Sequence, residues 1–263
     1  TDKKLATLYI AEARALRGMF YFELVRRFGN VVLMTSTQMS NQNPATYVQS
    51  APEKVYEYIE DDLLYACDIL PYATDDQYRE SNDYRFSKGA ALGLLTKVYA
   101  TWAGYPVKDE SKWEAAAKTA RILVESGKHG LLKDYEQLWK NTCNGTWDPT
   151  ESLIEISFYS PTVSGNSDPV GRIGKWNGVK TTAIAGVRGS CAANVKVVHT
   201  FVLDWREDVS DIRRDLSIAN YQYTDTKKSL WVAGASDTDE SAAEKDADPT
   251  KAQKNKQNYT PAK

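Results

Sequence analysis

Histidine is nearly missing from this 263-residue chain, which carries only His129 and His199, far apart in sequence. Neither sits in an HExxH pattern. The three cysteines, Cys67, Cys143 and Cys191, form no CxxC or other metal-ligand spacing. A zinc site is therefore not expected. The odd number leaves one thiol unpaired, and Cys67, inside a helical pattern, reads as a buried free thiol. No apolar run of 18 residues occurs, so no membrane-spanning helix is expected. Signal peptide and lipobox are also lacking, and the chain is expected not to be a whole exported precursor. Basic runs stop at Arg26–Arg27 and Arg213–Arg214, and the formal net charge is −2, which argues against a nucleic-acid partner. There is no GxSxG for a serine nucleophile. Gly171–Lys175 lacks the spacing and the Ser/Thr of a phosphate loop. Carboxylates are plentiful (Asp61, Asp62, Asp75, Asp76, Asp204, Glu207, Asp208 and Asp211), yet no pair has the special setting a glycosidase needs, and they read as solvated faces. Asp237, Asp239, Glu240 and Glu244 lack the sharp-turn glycine of a calcium loop.

What the chain does have is aromatic surface with polar handles: seven Trp and sixteen Tyr against six Phe. It also has strong helical periodicity in its first half. Ala11–Leu33 reads AEARALRGMFYFELVRRFGNVVL. Leu16, Phe20, Leu24 and Phe28 recur every fourth residue, with Met19, Tyr21, Phe22 and Val25 flanking them, and Gly29 stands where a left-handed cap is wanted. The spacing predicts a helix from about Leu5 to Phe28, apolar enough to be buried on more than one side, with Phe20 in the core. Ser50–Glu53 reads as a capping box with proline in the first turn. Val55, Ile59, Leu63, Ala66 and Leu70 then form one stripe that Pro71 ends. A third helix starts near Ser87, carries Ala91, Leu92, Leu95, Tyr99 and Trp102, and closes at Gly104. Ser111–Glu114 reads as a second capping box, opening a fourth helix with Trp113, Ala116, Ala117, Ala120, Leu123 and Val124. Trp102 and Trp113 are assigned to the core. These make two helix pairs, Leu5–Leu70 and Ser87–Ser126; the second is compact and its period approaches tetratricopeptide length, and a pair cannot bury its face alone.

The second half changes character. Leu153–Tyr159 alternates like a strand, Val195–Trp205 reads as a short helix, and Tyr221–Tyr223 as a strand. Pro161–Asn194 is rich in Gly, Ser and Asn. Ala233–Lys256 is charged and poor in bulky apolar residues, and reads as a flexible insertion or tail. The expected organisation is a tetratricopeptide-like helical region over 1–132, an irregular ligand-recognition region with a few strands over 133–232, and a polar segment over 233–263. The fold class is mainly α.

The first helix, with Val55–Pro71 (VYEYIEDDLLYACDILP), Arg85–Ala103 (RFSKGAALGLLTKVYATWA), Trp113–Leu131, Tyr135–Leu138, Glu151–Phe158 (ESLIEISF) and Val198–Ser217 (VHTFVLDWREDVSDIRRDLS), resembles, in the same order, the SusD/RagB family of nutrient-binding outer-membrane lipoproteins. The match covers most of 8–160 and 195–220. Phe158–Asn194 matches no common pattern. The family's C-terminal helices and N-terminal lipid-anchor region are missing, so the chain is expected to be a central fragment.

The resemblance implies a non-catalytic, glycan-binding component of a bacterial surface uptake system, held at the outer membrane by a lipid anchor not present in this chain. It implies a SusC-like TonB-dependent transporter as partner and an arc of aromatics as the binding device. The residues themselves point to rings set among polar neighbours without helical period. Exposed rings stack on sugar faces while amides and guanidinium groups satisfy hydroxyls. Trp176 and Asn177 with Arg172 and Arg188 make the best local match, joined by Trp147, Tyr159 and Trp231. No cofactor is expected. Asp211–Asp215 is read as charge pairs bracing the fold. The alternatives are a tetratricopeptide-like scaffold for a protein or peptide partner and a helical glycoside hydrolase.

Overall fold

Small residues decide how the first two helices meet. The computed structural model describes residues 2–37, 41–75, 85–156, 176–179, 190–195, 197–206, 210–219, 221–224, 227–230 and 260–261. Helix α1 runs Asp2–Phe28 and buries Leu8, Ala11, Ala15, Gly18, Phe22 and Val25. A methyl group at Gly18 would lie 3.3 Å from Leu63 Cγ and 3.6 Å from Asp62 Cβ, so Gly18 is where α1 sits tightest on α2 (Pro52–Ile69). The helix begins three residues before the expected Leu5. Its expected stripe is corrected: Leu16, Phe20, Leu24 and Phe28 are exposed, Phe20 at 58%. The small residues, not the large ones, choose the close interface, because bulky side chains would hold the backbones apart.

Gly29 caps α1 at φ +69°, as expected. Beyond it Val31 and Ser50 exchange two backbone hydrogen bonds in an antiparallel bridge, tying the end of α1 to the start of α2. That bridge displaces the expected capping box. The Ncap of α2 is Ala51, without a side-chain cap, and Pro52 opens the helix at a position where no N–H donor is required. The predicted stripe of α2 is in place: Val55, Ile59, Leu63, Ala66 and Leu70 are all buried.

Helix α3 (Lys88–Ala103) packs on α2 and on α4 (Lys112–Glu125). The helix starts where the sequence predicts, and the Ser87 hydroxyl caps it by accepting from Ala90 N at 3.2 Å. Trp102 is buried and stacks on Tyr56 at 5.2 Å between ring centroids. The second capping box is corrected. Ser111 is already helical and caps nothing; instead Asp109 Oδ1 accepts from the Ser111 amide and hydroxyl. Trp113 is also corrected, since α4 turns Ala116 and Thr119 inward and leaves Trp113 53% exposed and Val124 exposed.

The segment after α4 folds back onto α3. His129 Nδ1 lies 2.9 Å from the Pro149 carbonyl, and its ring abuts Gly89 so closely that a methyl group there would overlap it. Gly93 leaves room for Leu153, whose Cδ1 would stand 2.6 Å from an added Cβ. A short helix α5 (Tyr135–Asn144), capped by Asp134 and ended by left-handed Gly145, lies between them. The expected strand at Leu153–Tyr159 is corrected over its described part: 153–156 is irregular and Ile154 packs on the core, while 157–159 fall outside the described residues. With side chains seated against α3 and the core, the segment follows the helices rather than a strand neighbour.

Unit one spans Thr1–Ser157; unit two, Phe158–Lys263, is described separately. In unit two a helix covers His199–Arg206, starting later than the expected Val195, and another covers Arg213–Ser217. Strands β2 (Tyr221–Thr224) and β3 (Lys227–Leu230) form an antiparallel pair, and β1 (Ile218–Ala219) pairs with β4 (Thr260–Pro261). The expected strand at Tyr221–Tyr223 is present. Asp211 bridges Arg213 at 2.6 Å and accepts from Trp205 Nε1 at 3.0 Å. The hydrogen bond from Arg213 holds its carboxyl well below the usual carboxylate range. The Ala233–Lys256 segment lies outside the described residues.

One carboxylate breaks the solvated-face expectation. Asp62 is fully buried and takes Arg14 Nε at 2.7 Å and Arg17 through Nε and Nη2 at 2.8 and 2.7 Å. Asp62→Ala should cost about 3 kcal/mol in denaturant unfolding, the low end for breaking a buried pair, because both arginines keep contact with water. Phe20→Ala should cost less than about 1 kcal/mol, as an exposed position does. The reverse order would mean that α1 buries its other face. Burial pushes the Cys67 thiol up to about 12, so native protein at pH 8 should resist a thiol reagent at Cys67 that denatured protein consumes at once. Mass spectrometry of the labelled peptide reads this directly.

Candidate functional site

Of the residues singled out for sugar stacking, Trp176 and Asn177 are described together. Both are helical and lie in unit two, and Trp176 is 47% exposed. Asn177 is half-buried, while the following Gly178 and Val179 are buried. Residues 176–179 thus run from an exposed ring to a buried anchor. The Asn194 amide donates to the Trp176 carbonyl at 2.6 Å. A half-exposed indole offers a flat apolar surface, and the next residue, Asn177, carries an amide suited to hydroxyl groups.

The other nominated residues are not brought together with it among the described residues. Trp147 belongs to unit one, half-buried just after the left-handed Gly145. Tyr159, Arg172, Arg188 and Trp231 fall outside the described residues. Among the described residues no group of three His, Cys, Asp or Glu side chains could hold a metal ion. None of the described helices is long and apolar enough to cross a membrane.

Sequence reasoning missed a second feature, in unit one. The exposed side of α1 floors two shallow grooves that share Leu16. One, of about 470 Å³, lies between Leu16, Phe20 and Leu24 and the returning residues Val32 and Met34. The other, of about 430 Å³, runs past Met19 to Phe86, Ile154 and Ile156, with the Glu12–Arg85 ion pair in its wall. The Tyr21 hydroxyl helps shape the first by accepting the Met34 amide at 2.7 Å. A signal was present in the sequence. With Ala11, Ala15 and Gly18 able to serve as one interface, the large residues at spacing four were left for another.

Internal ion pairs elsewhere in unit one hold helices rather than a reacting centre. Glu60 takes both the Tyr99 hydroxyl at 2.7 Å and Lys112 Nζ at 3.1 Å, joining α2, α3 and α4. Desolvation, followed by that hydrogen bond, keeps the Tyr99 phenol protonated far above its ordinary range. Lys112 Nζ also stands 3.8 Å over the Trp102 ring.

Residues 2–100 match the model of the SusD-like proteins, described as starch-binding and associating with the outer membrane. A SusD-like protein of Bacteroides ovatus is 29% identical over 182 residues, 65% of this chain and 32% of that protein. Among solved structures, a laminarin-binding SusD-like protein is 26% identical, with a TM-score of 0.63 over 84% of this chain and 47% of its own. A structure determined with a xylogluco-oligosaccharide is also 26% identical, with a TM-score of 0.61 over 84% of this chain and 43% of its own. The chain spans a third or less of the length of the curated relatives it matches.

Acrylamide quenching tests the exposure of the indole. Replacing Trp176 by Phe should remove a readily quenched component of the emission. Unchanged quenching would put the ring inside.

Proposed function

From the premise that this chain is SusD-like, we propose that it is a glycan-binding component of a bacterial outer-membrane nutrient uptake system. It captures an oligosaccharide without chemistry and passes it to a SusC-like TonB-dependent transporter at the cell surface. The observation that carries this reading is the likeness, over 84% of the chain, to a laminarin-binding SusD-like protein. The exposed Trp176 beside Asn177 supports it by supplying a stacking ring and a polar neighbour. Tyr159, Arg172 and Arg188, with Trp147 and Trp231, are the residues proposed to complete the contact. Binding by such a surface needs ring faces and hydroxyl partners and no general acid or base.

A second reading is favoured by the apolar grooves on α1. A helical scaffold of this type could seat an apolar helix of a protein or peptide partner there. The two readings use different surfaces. Phe20→Glu leaves glycan affinity unchanged under the first and abolishes partner capture under the second.

Calorimetry with laminarin oligosaccharides and a wider glycan array should find a ligand, and Trp176→Ala should weaken it about tenfold or more, as loss of a stacking ring does. No reducing ends should be released during the incubation. Turnover that disappears with a single carboxylate substitution would replace binding by catalysis.

A further inference from the structure

We infer that the outward side of α1 is a docking seat for an acidic amphipathic helix, one whose apolar stripe is edged by carboxylates. This deepens the reading of the α1 grooves as the seat of a partner helix, on which it rests, and it is independent of any glycan.

Helix α1 carries six basic side chains against three acidic ones, in a chain whose formal net charge is −2. That surplus has definite places. Arg14 and Arg17 share the single carboxylate of Asp62, and Arg26 and Arg27 share that of Glu23. One positive charge is left over at each. Arg17 stands in the wall of the groove of about 470 Å³, its side chain 39% exposed. Arg27 is exposed and lies about two turns beyond Phe20 on the same side of the helix. Between these two arginines Phe20 and Leu24 are exposed, continuing from Leu16 at a spacing of four. An apolar row with a basic group toward either end has a definite complement. It is a helix with apolar side chains every third or fourth residue and carboxylates beside them. Arg17 and Arg27 are about 15 Å apart along the helix, so the matching carboxylates stand about three turns apart.

Shape and charge together select this occupant. The row is not the crest of a convex surface. Grooves lie on both sides of it, bounded by Val32 and Met34 on one side and by Ile154 and Ile156 on the other. A flat bilayer face meets those walls before it reaches the floor, whereas the side chains of a helix enter as ridges enter grooves. A second copy of the chain would bring the same basic surplus to the seam and lacks the complementary charge.

Three synthetic helical peptides provide the test. They share one leucine stripe and differ only at its edges, which carry glutamate, glutamine or lysine. Their affinity for the native chain is read by fluorescence anisotropy, beside flotation with phosphatidylglycerol vesicles and sedimentation of the chain alone. The glutamate peptide should bind most tightly. Glutamine edges should weaken it about fivefold and lysine edges about tenfold or more, as two partly exposed charge pairs do. About 1 M salt should erase that ranking, because charges are then screened within about 3 Å. Arg27→Gln should cut the preference for glutamate over glutamine severalfold and leave the glutamine peptide within about twofold of its parent affinity. Phe20→Glu should abolish binding of the glutamate peptide. If Phe20→Glu does not fold by circular dichroism, Arg27→Gln and the salt series decide. Equal binding of the glutamate and glutamine peptides at low salt overturns the charge inference and leaves the helix seat standing. Binding of none of the three overturns both. Vesicle flotation, or a dimer, that Phe20→Glu removes in the absence of a glutamate preference gives the face to lipid or to a second copy and overturns the inference as well.

Discussion

A carboxylate without access to water sits where α1 crosses α2, and the arrangement of the helical unit follows from satisfying it. Asp62 needs partners there, since an unpaired buried charge is among the costliest things a fold can hold. Arg14 and Arg17, one turn apart on α1, close around it from above. Their guanidinium groups lie over the rings of Tyr65 and Tyr58, which lets them approach a buried acid while keeping one edge in water. That geometry exists only if the helix backbones come close, and the missing side chain of Gly18 permits the approach. The charge pair and the small-residue seam therefore depend on each other. A buried ion pair adds little net stability, but it penalises every other register of α1 on α2.

The same device recurs at each later junction with less burial. Glu12 pairs with Arg85 to bring the strap before α3 onto α1, and Glu60 gathers Tyr99 and Lys112. Apolar stripes draw the helices together without direction, and these pairs supply the direction. The result is a rigid helical unit whose large apolar side chains on α1 remain facing outward, lining grooves.

Unit two is built differently. Its described elements are short; Asp211 is bonded locally to Arg213 and Trp205, and the Asn194 amide reaches back to the Trp176 carbonyl. Short elements bury little and leave side chains on display, which suits recognition.

The order and type of elements were legible in the sequence: the stripe Val55–Leu70, the helix start near Ser87, the glycine at 29, Trp102 in the core and the strand at Tyr221. Each is a local rule, a period of 3.6 or a cap within a few residues, and local rules act before the chain has folded. The exposed Trp176 was legible for the same reason, because nothing periodic surrounded it. Tertiary structure alone decided which of two apolar faces α1 buries, since periodicity counts apolar residues on both sides and only the backbone's closest approach selects the small-residue one. It alone made Asp62 a core residue, because its arginine partners lie 45 and 48 positions away. It also took the cap from Ser50 and Ser111, where a bridge to Val31 and the side chain of Asp109 competed for the same groups. Sequence proposes what each residue can do nearby; burial, charge pairing and competition for hydrogen bonds across the fold decide which of those possibilities is used.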